Sequence, residues 1–415
     1  MHYFNYRHND LYCDDVKVED IIREVGTPAF IYSKRTAIEH FRKLDTAFRG
    51  FDHTICYSIK ANSNLALCHA MAEEGCGADI VSGGELFRAL KAGFDSQKIV
   101  YAGVGKTASE IKYALESNIF MFNVESLPEA KLIDQIALSM NKKAKVSIRV
   151  NPDVNPHTHA YITTGKKENK FGINFHSAPE FYRSLREMKG LDVVGIHLHI
   201  GSQILTPEPY VDAIRRGTSL IKKLKDIEID LSVMNIGGGL GIIYKDENPM
   251  TAREFADAVI PVLEDRQCCK LILEPGRHIA GNAGILVTQV TYIKQTPVKK
   301  FAIVDAGMND LIRPCLYNAY HEIQPVHKDS KREIHDIDVV GPICESSDFF
   351  AKDRALPEVH SGELLAIMSA GAYGFTMASN YNSRPRAVEV LVEGDRWRVV
   401  RRRETWEDLI IGETI

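Results

Sequence analysis

Lys60 closes the run Thr54–Ile59 and is followed by Ala61-Asn62-Ser63-Asn64, so a strand rich in β-branched and aromatic residues ends on a single amine. A partly desolvated lysine amine is nucleophilic near neutral pH and forms a Schiff base with an aldehyde such as pyridoxal phosphate. A solvated surface charge is the plain alternative. Leu273-Glu274-Pro275-Gly276-Arg277 sets a carboxylate at another strand's end and a guanidinium three residues on. It reads either as a salt-bridged loop or as a cofactor site. Beside a pyridine nitrogen, a glutamate would keep the ring protonated and make it an electron sink suited to decarboxylation; an arginine there would not. In Asn235-Ile236-Gly237-Gly238-Gly239-Leu240-Gly241 the glycines let backbone N–H groups close on an anion such as phosphate, and a flexible turn is the competing reading. No Gly-Lys-Ser/Thr follows, so this is not a P-loop. His197 and His199 alternate onto one side of a strand. A metal pair lacks an evident third ligand. One imidazole stacked on an aromatic cofactor, with the other a core histidine, fits better.

These groups need elements that gather them. Short apolar strands are expected at Thr54–Ile59, Ala78–Val81, Ile99–Ala102, Phe120–Val124, Lys145–Val150, Val193–His199, Leu231–Ile236 and Lys270–Glu274. Runs with helical period lie between them: Gly84–Ala92, Ala108–Glu116, Leu127–Met140, Pro179–Met188, Val211–Lys225 and Ala252–Leu263. Eight strands separated by helices predict an α/β fold, a (β/α)8 TIM-type barrel. A doubly wound sheet is disfavoured because no G-x-G-x-x-G follows the first strand. Strand ends then bring Lys60, Ser82, Glu85, Gly103, Asn123, Arg149, His197, His199, Gly237 to Gly239, Glu274 and Arg277 to one face. Beyond Gly281 the texture changes to strands at Ile285–Lys294, Phe301–Asp305, Ile334–Val340, Glu363–Ser369, Ala387–Glu393 and Trp397–Arg401, a C-terminal β-rich domain. The expected organisation is an N-terminal segment (1–32) that pairs with the β domain, a cofactor-binding barrel (33–280) and the β domain (281–415).

Length and composition agree with an enzyme of two domains: 415 residues, 45% hydrophobic, 26% charged and a net charge of -4. No nucleic-acid footprint or membrane surface is indicated, and no run approaches the roughly 18 apolar residues of a spanning helix. With no apolar leader in Met1–Asp10, a cytoplasmic location is the default expectation. Eight cysteines without C-x-x-C or Cys/His spacing exclude a disulfide framework or zinc site. Cys13, Cys56, Cys68, Cys76, Cys268, Cys269 and Cys315 read as ordinary thiols, since even the adjacent Cys268-Cys269 pair points apart.

Together with Asn169-Lys170-Phe171-Gly172, Cys344-Glu345-Ser346, Ala370-Gly371-Ala372-Tyr373 and Ser379-Asn380-Tyr381-Asn382-Ser383-Arg384-Pro385-Arg386, these motifs resemble the diaminopimelate decarboxylase family almost end to end. These are fold-type III, alanine racemase-like enzymes. The resemblance implies pyridoxal 5'-phosphate held by Lys60, with His199 stacked on its ring and Glu274 at the pyridine nitrogen. It also implies Ser202, Gly237, Gly238, Gly239, Gly276, Arg277 and Tyr373 around the cofactor. Substrate positions would be Arg277, Arg313, Tyr317, Glu345 and Tyr373, suited to a carboxylate, an α-amino group and a distal ammonium. Cys344 would reprotonate Cα across a homodimer interface, with an inert buried thiol as its alternative. The implied reaction converts meso-diaminopimelate to L-lysine and carbon dioxide, with no metal. Rival readings are a related decarboxylase acting on ornithine, arginine, carboxynorspermidine or a carrier-bound amino acid, and a non-catalytic carrier of the cofactor. Arg277 and Arg313 argue against simple diamines; Cys344 and the β domain argue against a carrier.

Overall fold

The computed structural model describes residues 2–154, 170–264 and 270–415. Asn169, Cys268 and Cys269 lie outside the described residues. The chain divides into two compact units: His40–Ile242 with Asn248–His278, and Met1–Glu39 with Ile243–Glu247 and Ile279–Ile415.

The first unit is the barrel. Its strands are β1 (His53–Ser58), β2 (Gly77–Ile80), β3 (Ile99–Tyr101), β4 (Met121–Val124), β5 (Ala144–Asn151), β6 (Leu191–His197), β7 (Val233–Asn235) and β8 (Lys270–Leu273). Each pairs in parallel with the next, and Leu271↔His53 through Leu273↔Ile55 join β8 to β1, so the sheet closes. All eight strands match the sequence expectation to within a few residues. They are legible because a parallel sheet covered on both faces needs near-continuous apolar runs. The first four helices between them start on side-chain caps. Asn64 accepts from Ala66 N, Ser82 from Glu85 N, and Ser126 from Glu129 N, while Thr107 and Glu110 form a capping box. Ser82 is therefore committed to starting the helix Gly83–Ala92. Inside the barrel Cys56, Val100, Met121, Val233 and Ile272 form one buried cluster.

The second unit is a β-rich sheet built on Gly284–Gln295. The strand order is Phe349–Pro357, Ile334–Val340, Lys300–Val304, Gly284–Gln295, Ala29–Ser33, Val388–Glu393, Arg396–Arg401. Leu364–Ile367 also pairs with Gly284–Gln295, and Ile323–Pro325 pairs with Leu364–Ile367. Ala29–Ser33 sits inside this sheet, antiparallel to one neighbour (Gly284↔Tyr32) and parallel to the other (Val388↔Ala29). All five of its residues are buried, as a central strand requires. Sequence periodicity did not reveal Phe349–Pro357. Lys352, Asp353 and Arg354 interrupt its alternation, the pairing slips twice, and Asp353 adopts a left-handed φ of 47°.

Candidate active site

In the barrel unit Lys60 lies two residues beyond the end of β1, in a single helical turn, Ile59–Ala61. Its Nζ forms an ion pair with Asp79 on β2 and lies 3.4 Å from Ser58 Oγ. Ser58 Oγ donates to Asp79 Oδ2 at 2.6 Å, and Ser58 and Asp79 are register partners across β1 and β2. Burial, reinforced by the charge of Glu274, raises the Asp79 carboxyl, against the pull of Lys60. The sequence reading missed both Ser58 and Asp79. Asp79 left one signal: a lone carboxylate in the otherwise apolar stretch Gly77-Ala78-Asp79-Ile80, directly beside the strand that ends at the lysine.

Glu274 follows β8 and is almost fully buried. Its Oε1 accepts from Asn235 Nδ2 at 2.6 Å and Asn123 Nδ2 at 3.1 Å. His197 Nε2 lies 3.3 Å from Oε2, within ion-pair reach but outside hydrogen-bond geometry. Burial pushes the Glu274 carboxyl up, yet His197, Lys60 and the Asn235 amide outweigh it and hold the group well below the usual carboxylate range. The result is a buried, ionised carboxylate. Glu274 also supplies the third group that the sequence did not reveal beside the two histidines: ligand atoms of His197, His199 and Glu274 fall within 4.8 Å of one another. Two amide donors already occupy one oxygen of this carboxylate, which suits hydrogen-bonded positioning of an anion.

His199 stands two residues past the end of β6, not within the strand, its ring centroid 6.4 Å from that of His197. Burial, with the charges of Arg149 and His197, lowers its pKa well below the ordinary value, so its imidazole is neutral. Gly237 (φ 69°) makes room for that ring: a Cβ there would stand 2.5 Å from His199 Nδ1. A Cβ on Gly238 would collide with the Glu274 carbonyl oxygen. Gly237 N–H donates to Asn235 Oδ1 at 2.8 Å and Gly238 N–H to His199 Nδ1 at 3.4 Å. The glycine run is thus required first for close packing, and neither of these bonds uses Gly239 N–H. Arg277 is buried and donates from Nη2 to Ser202 Oγ at 3.1 Å. Gly276 packs against Ser58 and Ala61, where a Cβ would meet theirs at about 3 Å. Arg149 is a buried ion-pair partner of Glu125, at 3.1 Å.

This set fits pyridoxal 5'-phosphate. An amine at a strand end suits its aldehyde, and an ionised buried carboxylate suits a protonated pyridine nitrogen. A neutral imidazole suits the ring, and a guanidinium with a hydroxyl suits the phosphate.

The β-rich unit carries the other expected residues. Arg313 is buried at the start of the helical turn Arg313–Tyr317, and Tyr317 is half-buried. Cys344 is an exposed free thiol, not a buried one. Its N–H donates to Asn382 Oδ1 at 2.7 Å, while the Tyr381 hydroxyl donates to the exposed Glu345 carboxylate at 3.3 Å. Tyr373 is half-buried with a left-handed φ of 57°. Cys13, Cys56, Cys68 and Cys76 are buried and Cys315 is half-buried, all of them thiols.

Residues 34–281 match the family described as pyridoxal-dependent decarboxylase, pyridoxal binding domain. Fold and site therefore define a pyridoxal-phosphate-dependent decarboxylase of the barrel type. Over nearly the full chain, the diaminopimelate decarboxylase of Aquifex aeolicus is 48% identical, covering 98% of this chain and 96% of that protein. The Vibrio cholerae enzyme of the same name is 47% identical, covering 100% and 99%. The crystal structure of diaminopimelate decarboxylase from M. jannaschii in complex with L-lysine superposes with a TM-score of 0.94 at 39% identity, covering 99% of this chain and 98% of that one. The chain belongs to the diaminopimelate decarboxylase family.

Proposed function

We infer that this enzyme removes carbon dioxide from meso-2,6-diaminopimelate and releases L-lysine, the last step of lysine biosynthesis. The observation that carries the reading is Glu274, a buried carboxylate kept ionised opposite a strand-end lysine, in a chain whose relatives carry this activity by name. When bound, pyridoxal 5'-phosphate supplies the electron sink for the pair left as the carboxylate departs. Lys60 Nζ holds the cofactor covalently; Asp79 and Ser58 orient that amine and exchange protons with it. Glu274 keeps the proton on the ring nitrogen, Asn123 and Asn235 fix the carboxylate, and His199 offers a neutral face to the ring. Arg277, Ser202, Gly239 and Gly276, with Gly237, Gly238 and Tyr373, surround the phosphate end.

In the same proposal Arg277, Arg313, Tyr317 and Tyr373 bind the carboxylate and amino group the substrate keeps, and Glu345 pairs with the distal ammonium. Cys344 Sγ delivers the proton to Cα that replaces the lost carboxylate. The exposure of Cys344 and Glu345 supports their serving a second copy of the chain in a homodimer. A cytoplasmic location belongs to the same proposal; no described helix is long and apolar enough to cross a membrane. Purified protein incubated with pyridoxal phosphate and meso-diaminopimelate is expected to release carbon dioxide and lysine in equal amounts. Turnover of ornithine or arginine in its place would overturn the substrate assignment.

A further inference from the structure

Arg313 is expected to bind a substrate carboxylate, yet a single long side chain does not aim itself. In the β-rich unit its Nη1 lies 2.8 Å from His321 Nε2, and His321 Nδ1 lies 2.8 Å from the carbonyl oxygen of Met368. A guanidinium only donates, so His321 Nε2 must be the acceptor; a carbonyl only accepts, so the proton sits on Nδ1. The two contacts together fix one tautomer of one neutral histidine. The Tyr244 ring completes the arrangement, edge-on to His321 at 5.3 Å and with the Arg313 guanidinium 4.8 Å from its centroid. All three side chains are buried, His321 completely. The neutral partner matters. A carboxylate in its place would neutralise the guanidinium, whereas a neutral imidazole fixes the direction of the fork without doing so.

We propose that His321, as its Nδ1–H tautomer, with Tyr244, is the positioning device that aims Arg313 and thereby sets affinity for the carboxylate retained by the substrate. The proposal rests on the reading of Arg313 as a carboxylate ligand. His321 and Tyr244 touch the arginine and act through it.

The test is steady-state kinetics on the holoenzyme with meso-diaminopimelate, alongside inhibition by L-lysine, which keeps the same carboxylate. His321→Leu is expected to raise KM and the lysine inhibition constant together by roughly ten- to hundredfold, with kcat within about threefold of wild type. His321→Gln can donate to Met368 and accept from Arg313, so it should return both constants to within about threefold. In an Arg313→Ala background His321→Leu should add nothing further. If Arg313→Ala raises KM and His321→Leu does not, the positioning role is overturned while the carboxylate reading stands. If Arg313→Ala itself leaves KM unchanged, the carboxylate reading falls and the inference with it. Should His321→Leu fail to fold, Tyr244→Leu carries the same expectation, and an unchanged KM there overturns the inference.

Discussion

Glu274 is a charged residue that burial would ordinarily neutralise, and it keeps its charge through named partners. Lys60 is half-exposed and paired with a buried aspartate; Glu274 is buried and held by two amides and a histidine. Lys60→Ala should abolish turnover together with the visible absorbance of the lysine-linked cofactor. Spectra and assays on the purified variant check this, and retention of either signal removes Lys60 from its role. Glu274→Ala should lower kcat by several powers of ten, since nothing then holds the ring proton as charge develops. Survival of activity within about tenfold would move the electron-sink role elsewhere. Both residues were legible because a charged side chain at the end of an apolar run is conspicuous. Asp79, Ser58, Asn123 and Asn235 were not read into these roles: register across neighbouring strands commits Asp79, Ser58 and Asn235, Asn123 meets Glu274 from a non-adjacent strand, and one strand's sequence does not contain its partner. His321 left less signal still, since its role depends on Met368 and Tyr244, both far from it in sequence.

At the scale of elements, the loops after strands carry two conflicting duties, closing the barrel's helices and presenting polar groups. Glu85 shows the conflict. It lies in the first turn of Gly83–Ala92 and accepts from Val81 N at 2.8 Å, while burial pushes its carboxyl up to about 7 against the pull of Lys60. An acid whose folded pKa is raised binds more protons folded than unfolded between its unfolded value of about 4.3 and about 7, so its contribution to stability falls as pH rises through that window. Glu85→Gln should therefore gain Tm relative to the wild-type apoenzyme on going from pH 5 to pH 8; a Tm difference that does not change with pH would refute the assignment. The glycine run makes a steric demand. Gly238→Ala forces the loop away from the Glu274 carbonyl, and a loss of about 1–3 kcal/mol in stability, with weaker cofactor retention, is expected by denaturant titration and absorbance. Glycine run and barrel strands alike were visible in sequence, because their composition follows from local packing. Ser82 looked like a site residue and is a helix cap, and Phe349–Pro357 hid as a strand because a bulge breaks its period.

At the scale of the whole molecule, the N-terminal strand Ala29–Ser33 runs between Gly284–Gln295 and Val388–Glu393, so the β-rich unit cannot be completed until both ends of the chain exist. That unit also carries the exposed Cys344 and Glu345, and the proposed division of labour gives them to a neighbouring chain's barrel. A C2 dimer then has two identical sites, each using Lys60 of one chain and Cys344 of the other. A Lys60→Ala chain and a Cys344→Ala chain, crippled separately, should complement on mixing. Each mixed dimer holds one doubly damaged site and one intact site. Random re-pairing yields about half mixed dimers, hence roughly a quarter of wild-type activity per site. Chain exchange is confirmed by native mass spectrometry on the same sample. Exchange without recovered activity would mean that Lys60 and Cys344 serve a site within their own chain.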